Sequence, residues 1–361
     1  MKILFLSRAT LYSNAGGDTI QIINTSEYLK KMGITADVRL TNEKINYPYY
    51  DLIHFFNITR PADILYHVKK SRKPYVVSTI FVDYKEYEKK ISGGLRKIIF
   101  RFLSPDTIEY LKVLVRSLVN NEKIITPFYI LQGHKRSVQK VISGSSLLLP
   151  NSENEYVRLV ERYKVEKAYK IIPNGINTAL FSSRPQISSK ENDLVICVAR
   201  IEPLKNQLNL IRALNNTGFR LLIIGLPARN HNSYYTKCKL AAGEKVTFIG
   251  YLSQEKLIAY YERAKVHVLP SWFETTGLSS LEAAAMGCNI VITDKGDTRE
   301  YFENYAFYCE PDSPESIYEA IKKASAGTYN EEFRNKILTK YTWQEAANKT
   351  LVAYREITGT Q

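Results

Sequence analysis

Cysteine is scarce in this sequence: four residues in 361, Cys197, Cys238, Cys288 and Cys309, with no Cys-x-x-Cys pair among them. That excludes a disulfide framework and a thiolate zinc site. Cys197, Cys288 and Cys309 lie in or beside apolar runs, so small buried thiols are expected. Five histidines, His54, His67, His134, His231 and His267, are equally scattered and show no metal-ligand spacing. No run of 18 apolar residues occurs, so no transmembrane helix is expected. The start, MKILFLSRAT, has an apolar run of four residues before Ser7 and Arg8, which suits a first buried strand better than a secretory leader. Cytoplasmic residence is the expectation. Neither Gly-x-Gly-x-x-Gly nor Asp-x-Asp is present, which removes the dinucleotide fingerprint and leaves no motif asking for a divalent ion.

What is there is enough for two domains of ordinary size, each with its own core. Hydrophobic residues make up 45% and charged residues 24% of the chain, as in a soluble globular protein. The charge is unevenly spread. Residues 1–170 hold 28 Lys and Arg against 16 Asp and Glu, whereas residues 171–361 hold 22 against 20. A basic first half can serve nucleic acid, an anionic membrane or a phosphorylated substrate, or can be a solvated face with no partner.

Strand-like apolar runs at Ile3–Leu6, Asp37–Leu40, Leu52–Phe55, Tyr75–Thr79 and Ser146–Leu149 alternate with helical stretches, which predicts a parallel sheet covered on both faces. After the first run comes Gly16-Gly17, where a bare backbone at positive φ can approach a phosphate or sugar; Asp18 and Thr19 are expected to begin the helix that follows. Residues 85–140 carry twelve cations against five acids. Leu95, Ile98, Ile99, Phe102 and Leu103 fall at helical spacing among them, and Ile108, Leu111, Val115, Leu118 and Val119 repeat the pattern. Such a basic amphipathic stretch either lies on an anionic membrane surface or packs on a core with its lysines solvated. Asn151-Ser152 caps the next helix. The boundary between domains is placed at Pro173-Asn174-Gly175, with polar Ser182–Asn192 as the flexible connection.

In the second half, strand Leu194–Ala199 feeds a loop with Arg200 and Lys205 five residues apart. Two cations beyond a strand's carboxyl end, at a helix start that ordinarily prefers acids, call for an anion such as a diphosphate. Strands ending at Gly225 and at Gly250-Tyr251 follow. The central stretch is VHVLPSWFETTGLSSLEAAAMGCNIVITDKGDTREY, Val266 to Tyr301, read as strand, tight loop, helix, strand, glycine turn and helix. It holds Glu274 in the loop and Glu282 in the helix. The amides of Thr276, Gly277 and Leu278 are helix-start donors of the kind that hold phosphate or sugar oxygens.

The segment PSWFETTGLSSLEAAAMGCNIVITDKGDTRE resembles the Glu-x7-Glu signature of retaining glycosyltransferases of family 4, the group 1 glycosyl transferases, and Arg200-x4-Lys205 matches that family's cation pair. The resemblance implies the GT-B fold: α/β, two Rossmann-like doubly wound domains facing each other across a cleft. An acceptor domain would span 1–174 and a nucleotide-sugar domain 175–342, with the last helix, 343–361, packed back on the first. By the same resemblance Glu282 takes the ribose hydroxyls, Glu274 faces the donor sugar, and Arg200 and Lys205 neutralise the leaving diphosphate. Amides near Gly277 and at Gly16 and Gly17 assist, and Tyr251 and Gly225 border the nucleotide. No metal is expected, the donor being UDP- or GDP-linked. The family's histidine near Phe81 is missing here, and Asp83, the nearest polar side chain, is expected in its place. A glycan or lipid-linked acceptor in bacterial surface polysaccharide or glycolipid synthesis follows, with residues 85–140 as a possible contact to the inner face of the cytoplasmic membrane. A nucleotide-sugar epimerase of the same fold stays open. A nucleic-acid binder leaves Glu274, Glu282 and the cation pair unexplained, so no nucleic acid is expected.

Overall fold

The computed structural model describes residues 1–13, 16–82, 106–108, 110, 111, 113, 127–183, 185 and 187–359. Asp83 and most of residues 85–126, including the first amphipathic run, lie outside the described residues. The chain divides into two compact units: Met1–Pro173 with Trp343–Gln361, and Asn174–Thr342.

In the first unit five strands, β1 (Lys2–Ser7), β2 (Thr35–Leu40), β3 (Leu52–Phe56), β4 (Tyr75–Ser78) and β5 (Leu147–Leu148), lie parallel in the order β2-β1-β3-β4-β5. The chain runs outward from β1 to β2, then crosses to β3 and continues the other way, so the topological switch falls between β1 and β3. Every residue of β3, LIHFF, is buried, as a strand covered on both faces requires. The polar exception, His54, is satisfied at both ring nitrogens: Nδ1 to the Tyr354 hydroxyl at 2.6 Å and Nε2 to Ser78 Oγ at 2.8 Å. Burial pushes its pKa down to about 3 and keeps the ring neutral. Tyr354 belongs to the last helix, Trp343–Thr358, which packs on the helix Gly17–Lys31. His54 thus ties the end of the chain to the central strand.

A buried carboxylate organises the strand ends of the same unit. Glu155, in the helix Glu153–Tyr163, accepts from the Thr79 hydroxyl, from the Phe81 amide at 2.9 Å and from the Asn151 amide at 3.0 Å. Between them Ile80 is held at φ +42°, a region costly for a β-branched residue. Ser152 caps the helix by accepting from the Glu155 amide.

The second unit has six parallel strands, β6 (Glu191–Val198), β7 (Arg220–Ile224), β8 (Val246–Ile249), β9 (Ala264–Leu269), β10 (Asn289–Thr293) and β11 (Phe307–Cys309), in the order β11-β10-β9-β6-β7-β8. Here the switch lies between β6 and β9. All four cysteines are free and buried.

Two details differ from the sequence expectation. Asn174 belongs with the second unit, because its amide donates to the Tyr301 hydroxyl at 3.2 Å and its side chain to Thr276 Oγ1 at 3.1 Å. Ser182, Ser183 and Lys190, expected in a flexible connection, are instead tied to the second unit. Arg334 Nη2 donates to the carbonyls of Ser182 and Ser183 at 2.6 and 3.1 Å, and Lys190 Nζ donates to those of Tyr261 and Met286 at 2.6 and 2.8 Å. Polar composition suggested a linker, but these side chains spend their donors on carbonyls of the same unit.

Tyr354→Phe leaves a buried imidazole nitrogen without its partner and is expected to lower the unfolding free energy by about 1–3 kcal/mol. Urea unfolding followed by far-ultraviolet circular dichroism measures this, and an unchanged midpoint would show that the His54 contact contributes nothing.

Candidate active site

The loops that leave β6 and β9 meet at the switch point of the second unit. After β6 the chain forms the turn Pro203–Lys205 and the helix Gln207–Leu214. Asn206, at φ +60°, closes the turn, and its amide side chain donates to the carbonyls of Pro270 and Pro311 at 3.1 and 2.6 Å. That fixes Lys205 against the loop after β9, where its Nζ donates to Glu274 Oε1 at 2.5 Å. Glu274 retains only 6% of its surface, so this is a buried ion pair rather than a surface one.

The Glu274 backbone is pinned from the other side. Its carbonyl accepts from the Asp297 amide at 2.9 Å, and its own amide donates to Lys295 O at 3.3 Å. This parallel bridge to Gly296 brings the backbones so close that a Cβ on Gly296, at φ +81°, would lie 2.1 Å from Glu274 O. Arg200 sits differently. Its guanidinium reaches Glu202 Oε1 at 3.1 Å while staying almost half exposed, and Gln207 Nε2 holds its carbonyl at 2.8 Å. Its position is set by the backbone, and its head group is easily recruited.

Glu282 lies four residues into the helix Leu278–Ala285 and is buried. Oε1 accepts from Gln254 Nε2 at 2.6 Å and Oε2 from the Tyr261 hydroxyl at 3.1 Å. Burial raises its pKa to about 7, with those two hydrogen bonds pulling the other way. Gln254 and Tyr261 stand seven residues apart on the helix Gln254–Arg263, hence on one face. Sequence reasoning did not single them out, although that spacing before a strand was the available signal. The helix carrying Glu282 starts at Gly277, whose φ of +72° requires glycine. Among the described residues none accepts a hydrogen bond from the Gly277 or Leu278 amide.

Residues 181–340 match the model of the family described as glycosyl transferases group 1. That match covers 160 of the chain's 361 residues. Among characterised sequences it is similar to the D-inositol 3-phosphate glycosyltransferases of Acidothermus cellulolyticus, 27% identical over 180 residues, and of Mycolicibacterium smegmatis, 27% over 172 residues. Those matches cover 43% and 44% of this chain and 40% of either relative, so the chain spans about two-fifths of their length. Among solved structures it is similar to sucrose-phosphate synthase from Thermosynechococcus elongatus, with a TM-score of 0.74, 17% identity and 100% of both chains covered. It is likewise similar to HepE from Anabaena in complex with UDP and glucose, with a TM-score of 0.70, 15% identity, and 99% and 100% covered. The fold is GT-B, built from two Rossmann-like α/β domains.

Within the second unit the other expected residues fall into two classes. Tyr251 follows β8 and is 74% exposed, a free ring at the carboxyl end of the sheet. Gly225, in contrast, spends its amide on Ile249 O at 3.0 Å, and a Cβ there would lie 2.1 Å from Ala199 O. Its lack of a side chain is required by the packing of strand ends. Thr276 is buried, with its hydroxyl accepting from Asn174.

In the first unit, Gly16 has φ −152°, and Gly17 is absent from the positive-φ residues, so neither uses the left-handed freedom expected of the pair. The Gly16 amide donates to Thr19 Oγ1 at 3.1 Å, the helix starts at Gly17 rather than Asp18, and Asp18 forms a two-pronged pair with Arg8 at 2.8 and 3.0 Å. A Cβ on Gly17 would meet nothing within 4 Å, so the space beside it is open. Among the described residues no three His, Cys, Asp or Glu side chains come together as metal ligands, and no helix is long and apolar enough to cross a membrane.

Gly296→Ala forces a methyl into the Glu274 carbonyl and is expected to cost about 2 kcal/mol or more of stability in the second unit. Differential scanning calorimetry reads this directly, and an unshifted transition would contradict the close backbone approach.

Proposed function

We propose that the chain is a retaining, metal-independent glycosyltransferase that moves a sugar from a UDP- or GDP-linked donor to a glycan or lipid-linked acceptor. The observation that carries this reading is the meeting of Lys205, from the β6 loop that also carries Arg200, with a buried carboxylate from the β9 loop at one topological switch point, where open parallel sheets bind their ligands. Arg200 and Lys205 take the diphosphate, Arg by its fork and Lys as a point charge. Glu282 accepts the two ribose hydroxyls in place of Gln254 and Tyr261, and Glu274 accepts hydroxyls of the transferred sugar. The helix-start amides at Gly277 and Leu278 add fixed dipoles near the developing phosphate charge, so the protein supplies the neutralisation that a divalent ion would otherwise bring. The acceptor oxygen bonds to the anomeric carbon on the face from which the phosphate departs, and the leaving phosphate oxygen takes the acceptor's proton. The Anabaena structure with UDP and glucose fits this donor class.

Gly16 and Gly17 keep the donor-binding role, and Asp83 the catalytic role, that the resemblance implies. The basic stretch 85–140 supports action at an anionic surface, the inner face of a bacterial cytoplasmic membrane, in surface polysaccharide or glycolipid synthesis.

Thermal unfolding with UDP, GDP, UDP-glucose and GDP-mannose tests the donor site, since a ligand of the folded state raises the midpoint. One base should raise it, and Glu282→Ala should abolish the rise. A flat response to all four would remove the donor reading. Arg200→Ala with Lys205→Ala should reduce transfer by about 100-fold or more while the fold persists; unchanged turnover would refute their role.

Glu282 also sets a pH dependence. Its carboxyl is ionised in the folded protein only above about pH 7, and the ionised form is the better acceptor of two hydroxyls. Donor affinity should therefore weaken as pH falls through about 7, and Glu282→Gln should flatten that limb. A wild-type affinity independent of pH between 6 and 8, as measured by calorimetric titration, would show the carboxylate is not a ligand.

A further inference from the structure

Lys205 and Glu274 are each given a substrate partner by the proposed function, yet in the structure they hold each other, at 2.5 Å and with the carboxylate almost fully out of water. From this, and resting on that functional reading, we infer that Glu274 competes with the diphosphate for Lys205. The competition makes the site discriminate against the spent donor, a nucleoside diphosphate, in favour of the intact nucleotide sugar.

The argument is one of charge balance. A diphosphate entering the site draws the Lys205 ammonium away, and a carboxylate with 6% of its surface exposed then loses its cation. Removing one partner of a buried pair is costly because the other charge stays behind without compensation. If the ligand carries its sugar, hydroxyl donors replace the ammonium at Glu274 and the loss is made good. If the ligand is a bare nucleoside diphosphate, nothing replaces it. Arg200 also has a buried partner, Glu202 at 8% exposure, but its guanidinium is almost half exposed, so water reaches that pair from the cation's side and screens it more than the Lys205–Glu274 pair. The Glu274 backbone is locked to Gly296 and Asp297, and the side chain therefore cannot follow the loop out to solvent. After transfer the sugar is gone, and re-forming the Lys205–Glu274 pair helps to expel the product.

Calorimetric titration of the full chain with UDP, GDP, UDP-glucose and GDP-mannose, repeated with Glu274→Gln, gives the test an unusual sign. Removing the competitor should tighten binding of the nucleoside diphosphate by about tenfold, while the nucleotide sugar gains nothing or binds more weakly. On a Lys205→Met background the same Glu274→Gln change should bring no gain, because the competition is for that ammonium. A nucleoside diphosphate bound equally or less tightly by Glu274→Gln than by the unmodified chain overturns the competition while leaving the donor site standing. A gain that persists on the Lys205→Met background also overturns it, and no heat from any nucleotide with either protein overturns both readings.

Discussion

A carboxylate taken out of water must find donors, and among the described residues Glu155, Glu274 and Glu282 find theirs on distant parts of the chain. Glu155 gathers the Thr79 hydroxyl and the amides of Phe81 and Asn151 in the first unit. In the second, Glu274 faces Lys205, and Glu282 faces Gln254 and Tyr261. Because an unpartnered buried charge costs several kcal/mol, each of these groups ties together residues far apart in sequence. Glu155 looks structural, with backbone amides for partners. The partners of Glu274 and Glu282 are side chains, which a ligand's hydroxyls and phosphates can replace.

The parallel sheets explain why these groups stand where they do. Both units run outward from a central strand, return, and run outward again, so each has one switch point at which two loops diverge and leave space between them. In the second unit the diverging loops carry Arg200 and Lys205 on one side and Glu274 on the other. Glycines at Gly225 and Gly296 let neighbouring backbones pass at distances that any Cβ would forbid. Rigidity at those crossings is what keeps Glu274 beside Lys205 and confines change to side chains.

Much of the architecture was legible before any coordinates. Fully apolar runs such as LIHFF and NIVIT are what a parallel sheet buried on both faces demands, and cations beyond a strand end advertise an anion. Polar composition misled at Ser182–Asn192, where Lys190 and Arg334 turn their charges inward to carbonyl oxygens. Glycine identity misled at Gly16 and Gly17, whose backbone is extended or helical rather than left-handed.

The order of residues alone determined the class of fold, the strand and helix succession, and the two acids and two cations of the candidate site, because periodicity, turn chemistry and charge act over a few residues at a time. Only the tertiary structure decided which of those groups touch. Lys205 and Glu274 are 69 residues apart, Glu282 and Tyr261 are 21 apart, and His54 meets Tyr354 across 300. Contacts at such separations depend on strand order and on which loop each strand end releases. No local pattern carries that information.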